Sequence, residues 1–147
     1  MKPTSPGDYC ARKRPAARSP AEALAARDPA NTQWQRDLSV SHNKIGDVLA
    51  AQGDGPGALA PYRKALAIRD ALAARDPANA QWRTDVAVSC ARLGALDHGQ
   101  SLETRRGHLL RGREILLTLK AAAQLTESQD RTAWFEEQLA KLPASRP

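Results

Sequence analysis

Apolar and small residues recur along this chain at steps of three and four, over long stretches divided by glycine- and proline-rich breaks. That is the period of amphipathic helices rather than of strands. Ala21 to Arg27 reads as a short helical stretch ended by Asp28-Pro29, since proline disfavours helix at the residue before it. Thr32 and Gln35 stand at capping-box spacing, which predicts a helix from near Thr32 to near Gly53. Along it Trp34, Leu38, Ser41, Ile45, Val48 and Leu49 share one face, with Ser41 and Gly46 leaving room for a neighbouring backbone.

After a turn at Gly53-Asp54-Gly55-Pro56-Gly57, the row Ala58, Tyr62, Ala65, Arg69 and Leu72 runs beside Leu59, Leu66 and Ala73 as the second leg of a hairpin. Pro61 clashes with the carbonyl four residues back, so this helix is expected to begin late, near Ala60, or to bend there. A third helix is expected from about Ala80 to Leu96, with Trp82, Val86, Ser89, Leu93, Gly94 and Leu96 inward. A fourth should run from Ser101 to about Gln124. The spacing of Thr126 and Gln129 predicts a further helix start. Trp134, Phe135, Gln138, Leu139 and Leu142 then form a short closing helix that stops at Pro143.

The chain also repeats itself. LAARDPANTQW from Leu24 to Trp34 returns as LAARDPANAQW from Leu72 to Trp82, 48 residues on. A fixed period of this length marks an array in which each unit buries its apolar face against its neighbours. Low aromatic content, 4%, suits close helix packing better than an aromatic-rich sandwich core.

Ile45-Gly46, Leu49, Gly53-Asp54, Ala58, Tyr62 and Ala65 fall at the spacings of the small and large positions of the tetratricopeptide repeat, and Leu93-Gly94 repeats part of the set. The unit resembles a bacterial long-helix form of that family, stretched to 48 residues, with WQRDLSVS at 34–41 and WRTDVAVS at 82–89 as its spacers. Gly112 to Leu142 looks like its terminal repeat and capping helix. The second hairpin departs from the pattern. It lacks the glycine-aspartate turn and has Arg106 and Leu110 where Ala58 and Tyr62 stand in the first.

The resemblance implies an all-α superhelix of antiparallel hairpins, about two and a half repeats over residues 21–147 with a C-terminal capping helix, behind a disordered basic tail at 1–20. It implies a non-enzymatic scaffold that binds a protein or peptide segment on a concave face lined by the first helix of each pair. Here those residues would be Asn43, Lys44, Asp47 and Ala50, then Ala91, Arg92 and Ala95. An array also needs a polar cap at each end. The N-terminal end shows the apolar face a preceding hairpin would cover, so self-association there, or marginal stability, is expected. A third expectation is that the chain is the C-terminal regulatory part of a larger bacterial signalling protein.

Charge alters this picture little. Of the net +6, four charges come from Lys2, Arg12, Lys13, Arg14 and Arg18 against Asp8. The rest of the chain is nearly neutral. That tail and the cluster Arg105, Arg106, Arg111 and Arg113 motivate weak nucleic-acid binding as the competing reading.

The sequence offers little chemistry. Cys10 and Cys90 form no close-spaced pair, and His42, His98 and His108 lie without partners at metal-ligand spacing. Asp28, Asp37, Asp76 and Asp85 recur with the repeat and read as helix-capping residues rather than catalytic carboxylates. Trp34, Tyr62 and Trp82 read as packing residues. No phosphate-binding loop, cofactor motif, signal peptide or membrane span is present. A cytoplasmic protein without enzyme activity or cofactor is expected.

Overall fold

The computed structural model describes residues 18–144, so Cys10 and most of the basic tail lie outside it. The described chain is all-helical: α1 (Pro20–Arg27), α2 (Thr32–Ala51), α3 (Gly55–Arg75), α4 (Ala80–Ala95), α5 (Leu102–Ala121) and α6 (Thr132–Lys141). Each helix packs chiefly on the next. Consecutive long helices run antiparallel. Tyr62 meets Asp47 near one end of the α2–α3 pair, and Arg69 meets Ser39 further along.

The duplicated linkers are built alike. Asn31 and Asn79 cap α2 and α4, each side chain accepting from the tryptophan N–H three residues on, at 3.0 and 3.1 Å. The expected start at Thr32 holds, but the cap is the asparagine before it. Asp28 and Asp76 do not cap helix N-termini, as the sequence suggested. They close the C-termini of α1 and α3 and accept from Ala30 and Ala78, turning the chain through Pro29 and Pro77. Aspartate does this readily because its short side chain reaches the backbone two residues on.

Helix α3 corrects a second expectation, because it starts at Gly55 and runs through Pro61. Asp54 caps it by accepting from Gly57 N–H at 2.8 Å, and Pro56 stands in the first turn, where a missing N–H is harmless. Pro61 costs about 3 kcal/mol inside a helix. The expected α3 rows are buried at Ala58, Leu59, Tyr62, Ala65, Leu66, Arg69 and Leu72, and Ala73 is half-buried. Each large apolar side chain in those rows contributes about 1.5–3 kcal/mol, which outweighs the proline.

Two apolar clusters form the core. One joins Ala58, Leu59, Tyr62 and Leu66 of α3 to Val86, Cys90 and Leu93 of α4, with Leu96 just beyond it. The other joins Ala87 and Ala91 of α4 to Leu109 and Leu116 of α5 and Phe135 of α6. The close approach expected at Gly46 is present, since a Cβ there would overlap the Tyr62 ring. Trp34 and Trp82 are half-buried and stand outside both clusters.

At the C-terminal end, α5 begins after Ser101, which accepts from Thr104 N–H, and stops at Ala121, three residues short of the expected limit. Thr126 and Gln129 do pair, but they close a separate turn. Helix α6 starts only at Thr132, behind Asp130.

Candidate functional site

The buried face of α2 is not the one its apolar residues outline. Ser39, His42, Asn43 and Gly46 point inward, with Leu49 and Ala50 packed against the core beside them. The apolar row expected there lies about one residue round the helix. Ile45 is 48% exposed and Val48 55%, and Leu38 and Ser41 are only half-buried.

Helix α4 shows what this row does when covered. Its residues 48 positions on are Val86, Ser89 and Leu93, followed by Leu96, and all are buried: Leu93 is 0% exposed and Leu96 9%. They are sealed by Ala58, Leu59, Tyr62 and Leu66 of α3. No described helix takes that place on α2. Only α1 packs on it from that side, and α1 corresponds in the repeat to just the last eight residues of α3. Leu24 of α1, 39% exposed, likewise corresponds to the buried Leu72.

What holds α2 in place is polar. Arg69 projects from α3 into the seam between α2 and α4. There it donates through Nε to Ser39 Oγ at 3.1 Å and through Nη1 to the Asp85 carbonyl at 2.8 Å and Ser89 Oγ at 3.1 Å. With its carboxamide oxygen turned toward the guanidinium, Asn43 accepts from both terminal nitrogens. Burial lowers the Arg69 pKa, opposed by the nearby Asp85, from a value high enough that the side chain stays charged. The Asp85 carboxylate pairs with Arg36 of α2 at 2.8 Å and accepts from Gln81. Its repeat partner Asp37 is exposed and accepts only from Gln33.

The seven residues expected on a concave face are divided by this packing. Asn43 belongs to the Arg69 network, and Ala91 and Ala50 pack on the core, so none of the three offers an open side chain. Lys44 and Ala95 are exposed. Asp47 and Arg92 lie together: Arg92 Nε and Nη2 donate to the two carboxylate oxygens at 2.8 and 3.1 Å, and Tyr62 OH donates to Oδ1 at 2.8 Å. Partial burial opposes ionisation of Asp47, but Arg92 and Tyr62 hold its pKa below the usual value. The same burial and hydrogen bond push the Tyr62 hydroxyl up to about 12. These groups lock α2 to α4, and the exposed Lys44 lies one turn from Val48 on α2.

Three of the four arginines in the basic cluster on α5 are occupied structurally, while the buried Nε of Arg113 has no hydrogen-bond partner. Arg105 pairs with Asp97 at 2.7 Å and donates to the Gly94 carbonyl, Arg111 forks onto Asp70 at 2.6 Å, and Arg106 donates to the Pro143 carbonyl. Cys90 is fully buried, and burial pushes its thiol up to about 11. His42 is buried, His108 half-buried and His98 exposed. Among the described residues no group of three or more His, Cys, Asp or Glu side chains could hold a metal ion, and no helix is long and apolar enough to cross a membrane.

One groove recurs with the repeat. Asp70, Ala73, Ala74, Pro77, Arg83 and Val86 line it between α3 and α4, where Arg111 and Ile115 of α5 also bound it, and Glu22, Ala25, Ala26, Pro29, Gln35 and Leu38 line its counterpart between α1 and α2. The second groove runs into the uncovered row at Leu38. No family model matches the chain, and no curated protein or solved structure matches it.

Proposed function

We propose that this chain is a non-enzymatic interaction module of the tetratricopeptide kind, a short array of antiparallel hairpins in a right-handed superhelix. Its rigid helices display a docking surface for a partner protein. The observation that carries the reading is the contrast between α2 and α4: one apolar row, repeated 48 residues on, is sealed on α4 and open on α2. A row of large aliphatic side chains left in water forgoes roughly 25 cal/mol for each Å² it could bury, so the surface gains by being covered. Of the expected concave face, Lys44, Asp47 and Ala95 are exposed, with Asp47 held by Arg92. A reducing cytoplasm suits the buried free thiol of Cys90.

The test is a photo-crosslinking residue at position 48, used in cells, with a second at Glu114 on α5 as the comparison. A discrete protein adduct at 48 that Ile45→Asp removes supports the reading. Adducts only at 114, or adducts at 48 indifferent to Ile45→Asp, would sink it.

A further inference from the structure

Resting on the proposed docking role of α2, we infer the class of partner: an amphipathic helix that carries the α3 pattern and lies on α2 as α3 lies on α4. The internal duplication supplies the template. On α4 the seat is formed by Val86, Leu93 and Leu96, and it is filled by Leu59, Tyr62 and Leu66, a pattern of Leu-x-x-Tyr-x-x-x-Leu. On α2 the matching seat is Leu38, Ile45 and Val48, aliphatic at each position and of similar size.

The site also has a defined entry and direction. Helix α1 packs on α2 where the last two turns of α3 pack on α4, so the occupant lies beyond the N-terminal end of α1 and continues its path. It runs antiparallel to α2. A small residue at the Ala58 position completes the match, while Tyr62 itself turns its hydroxyl to Asp47 of α2.

The segment of this chain next to α1 is unsuited to the seat. In the repeat register Leu59, Tyr62 and Leu66 correspond to Ala11, Arg14 and Arg18, which would bring two cations to an apolar seat. Burying them unpaired is costly. A second copy of the chain is no better supplied, since its own Leu59, Tyr62 and Leu66 are buried in its core. A helix from another protein satisfies the seat without either cost.

The probe is this chain's own α3 sequence as a free, fluorophore-labelled peptide, Gly55–Arg75, titrated with the intact protein and followed by anisotropy. An isolated helix of this length is marginal in water, so the affinity should be weak, about 10⁻⁵–10⁻³ M. Saturable binding is expected, reduced at least about tenfold by Ile45→Asp and by Val48→Asp. Both side chains are exposed, and the variants should keep the parent's circular dichroism melting curve. Absence of saturable binding overturns the inference. So does peptide binding that both variants retain, which would place it at α4 by displacement of the native α3. Dimerisation abolished by Ile45→Asp but not competed by peptide would assign the seat to a second copy. If the peptide fails while crosslinks at position 48 persist, the docking function stands and only this partner class falls.

Discussion

Arg69 on α3 donates through one nitrogen to both the carbonyl of Asp85 and the hydroxyl of Ser89 on α4, so a buried guanidinium joins two successive repeats. Its Nε reaches back to Ser39 on α2, and the one side chain thereby spans three helices. The positions 48 residues on from Ser39, Asn43 and Arg69 are Ala87, Ala91 and Leu117, so the second hairpin has no such centre and is held instead by Phe135.

Arg69→Ala should therefore destabilise the chain by about 2–4 kcal/mol, because it strands Ser39, Asn43 and Ser89 without their donor. Arg92→Ala breaks only the partly exposed pair with Asp47 and should cost under about 1 kcal/mol. Urea unfolding of the two variants beside the parent checks the ranking. Equal losses would show that Arg69 does not organise the seam.

Two glycines should respond in opposite directions. Gly46→Ala drives a methyl into the Tyr62 ring and disturbs its bond to Asp47, for an expected loss of about 1–3 kcal/mol. Gly107→Ala, in α5 with open space where its Cβ would stand, should gain about 0.5–1 kcal/mol from helix propensity alone. Thermal melts of both variants read the signs directly.

Stability should fall on mild acidification. Burial, then Lys64, lowers the pKa of His42 against the opposing pull of Glu22. Burial, then Arg111 and Arg63, lowers that of His108 against Asp70. Both histidines bind a proton more readily unfolded, where their pKa is near 6.5. Their contribution is thus complete above about pH 6.5 and is lost as pH falls through the lower folded values. Unfolding midpoints from pH 8 to pH 5 should decline only below that point, and less steeply in a His42→Gln, His108→Gln variant. An unchanged decline would place its origin elsewhere.

The Cys90 thiol, fully buried and pushed up to about 11, should resist alkylation in the folded protein. In a Cys10→Ser background, labelling should proceed at the rate of global unfolding and accelerate with urea. Fast labelling in water would mean that the α3–α4 core opens locally.

The sequence was most legible where local chemistry and packing agreed. The α3 row from Ala58 to Leu72 and the α4 row from Val86 to Leu96 are buried as their spacing indicates. It misled at Pro61, where local backbone preference lost to tertiary burial, and in the linkers, where asparagine supplies the N-caps and aspartate closes the preceding helix instead. On α2 the period was right and the face was wrong. Periodicity reports which residues share a side but not whether anything covers it, and α2 buries Ser39 and Asn43 because Arg69 offers partners there. Ile45 and Val48 as the exposed members of the α2 row emerged only from comparing each residue with its counterpart 48 positions on.

The central claim, that the row uncovered on α2 is a seat for a helix, is tested most directly by methyl chemical shifts during titration with the Gly55–Arg75 peptide. The account predicts that Leu24, Leu38, Ile45 and Val48 shift together and saturate while Leu93 and Leu109 stay in place. Shifts confined to the exposed Leu110 and Leu117 of α5, or no shifts, would contradict it.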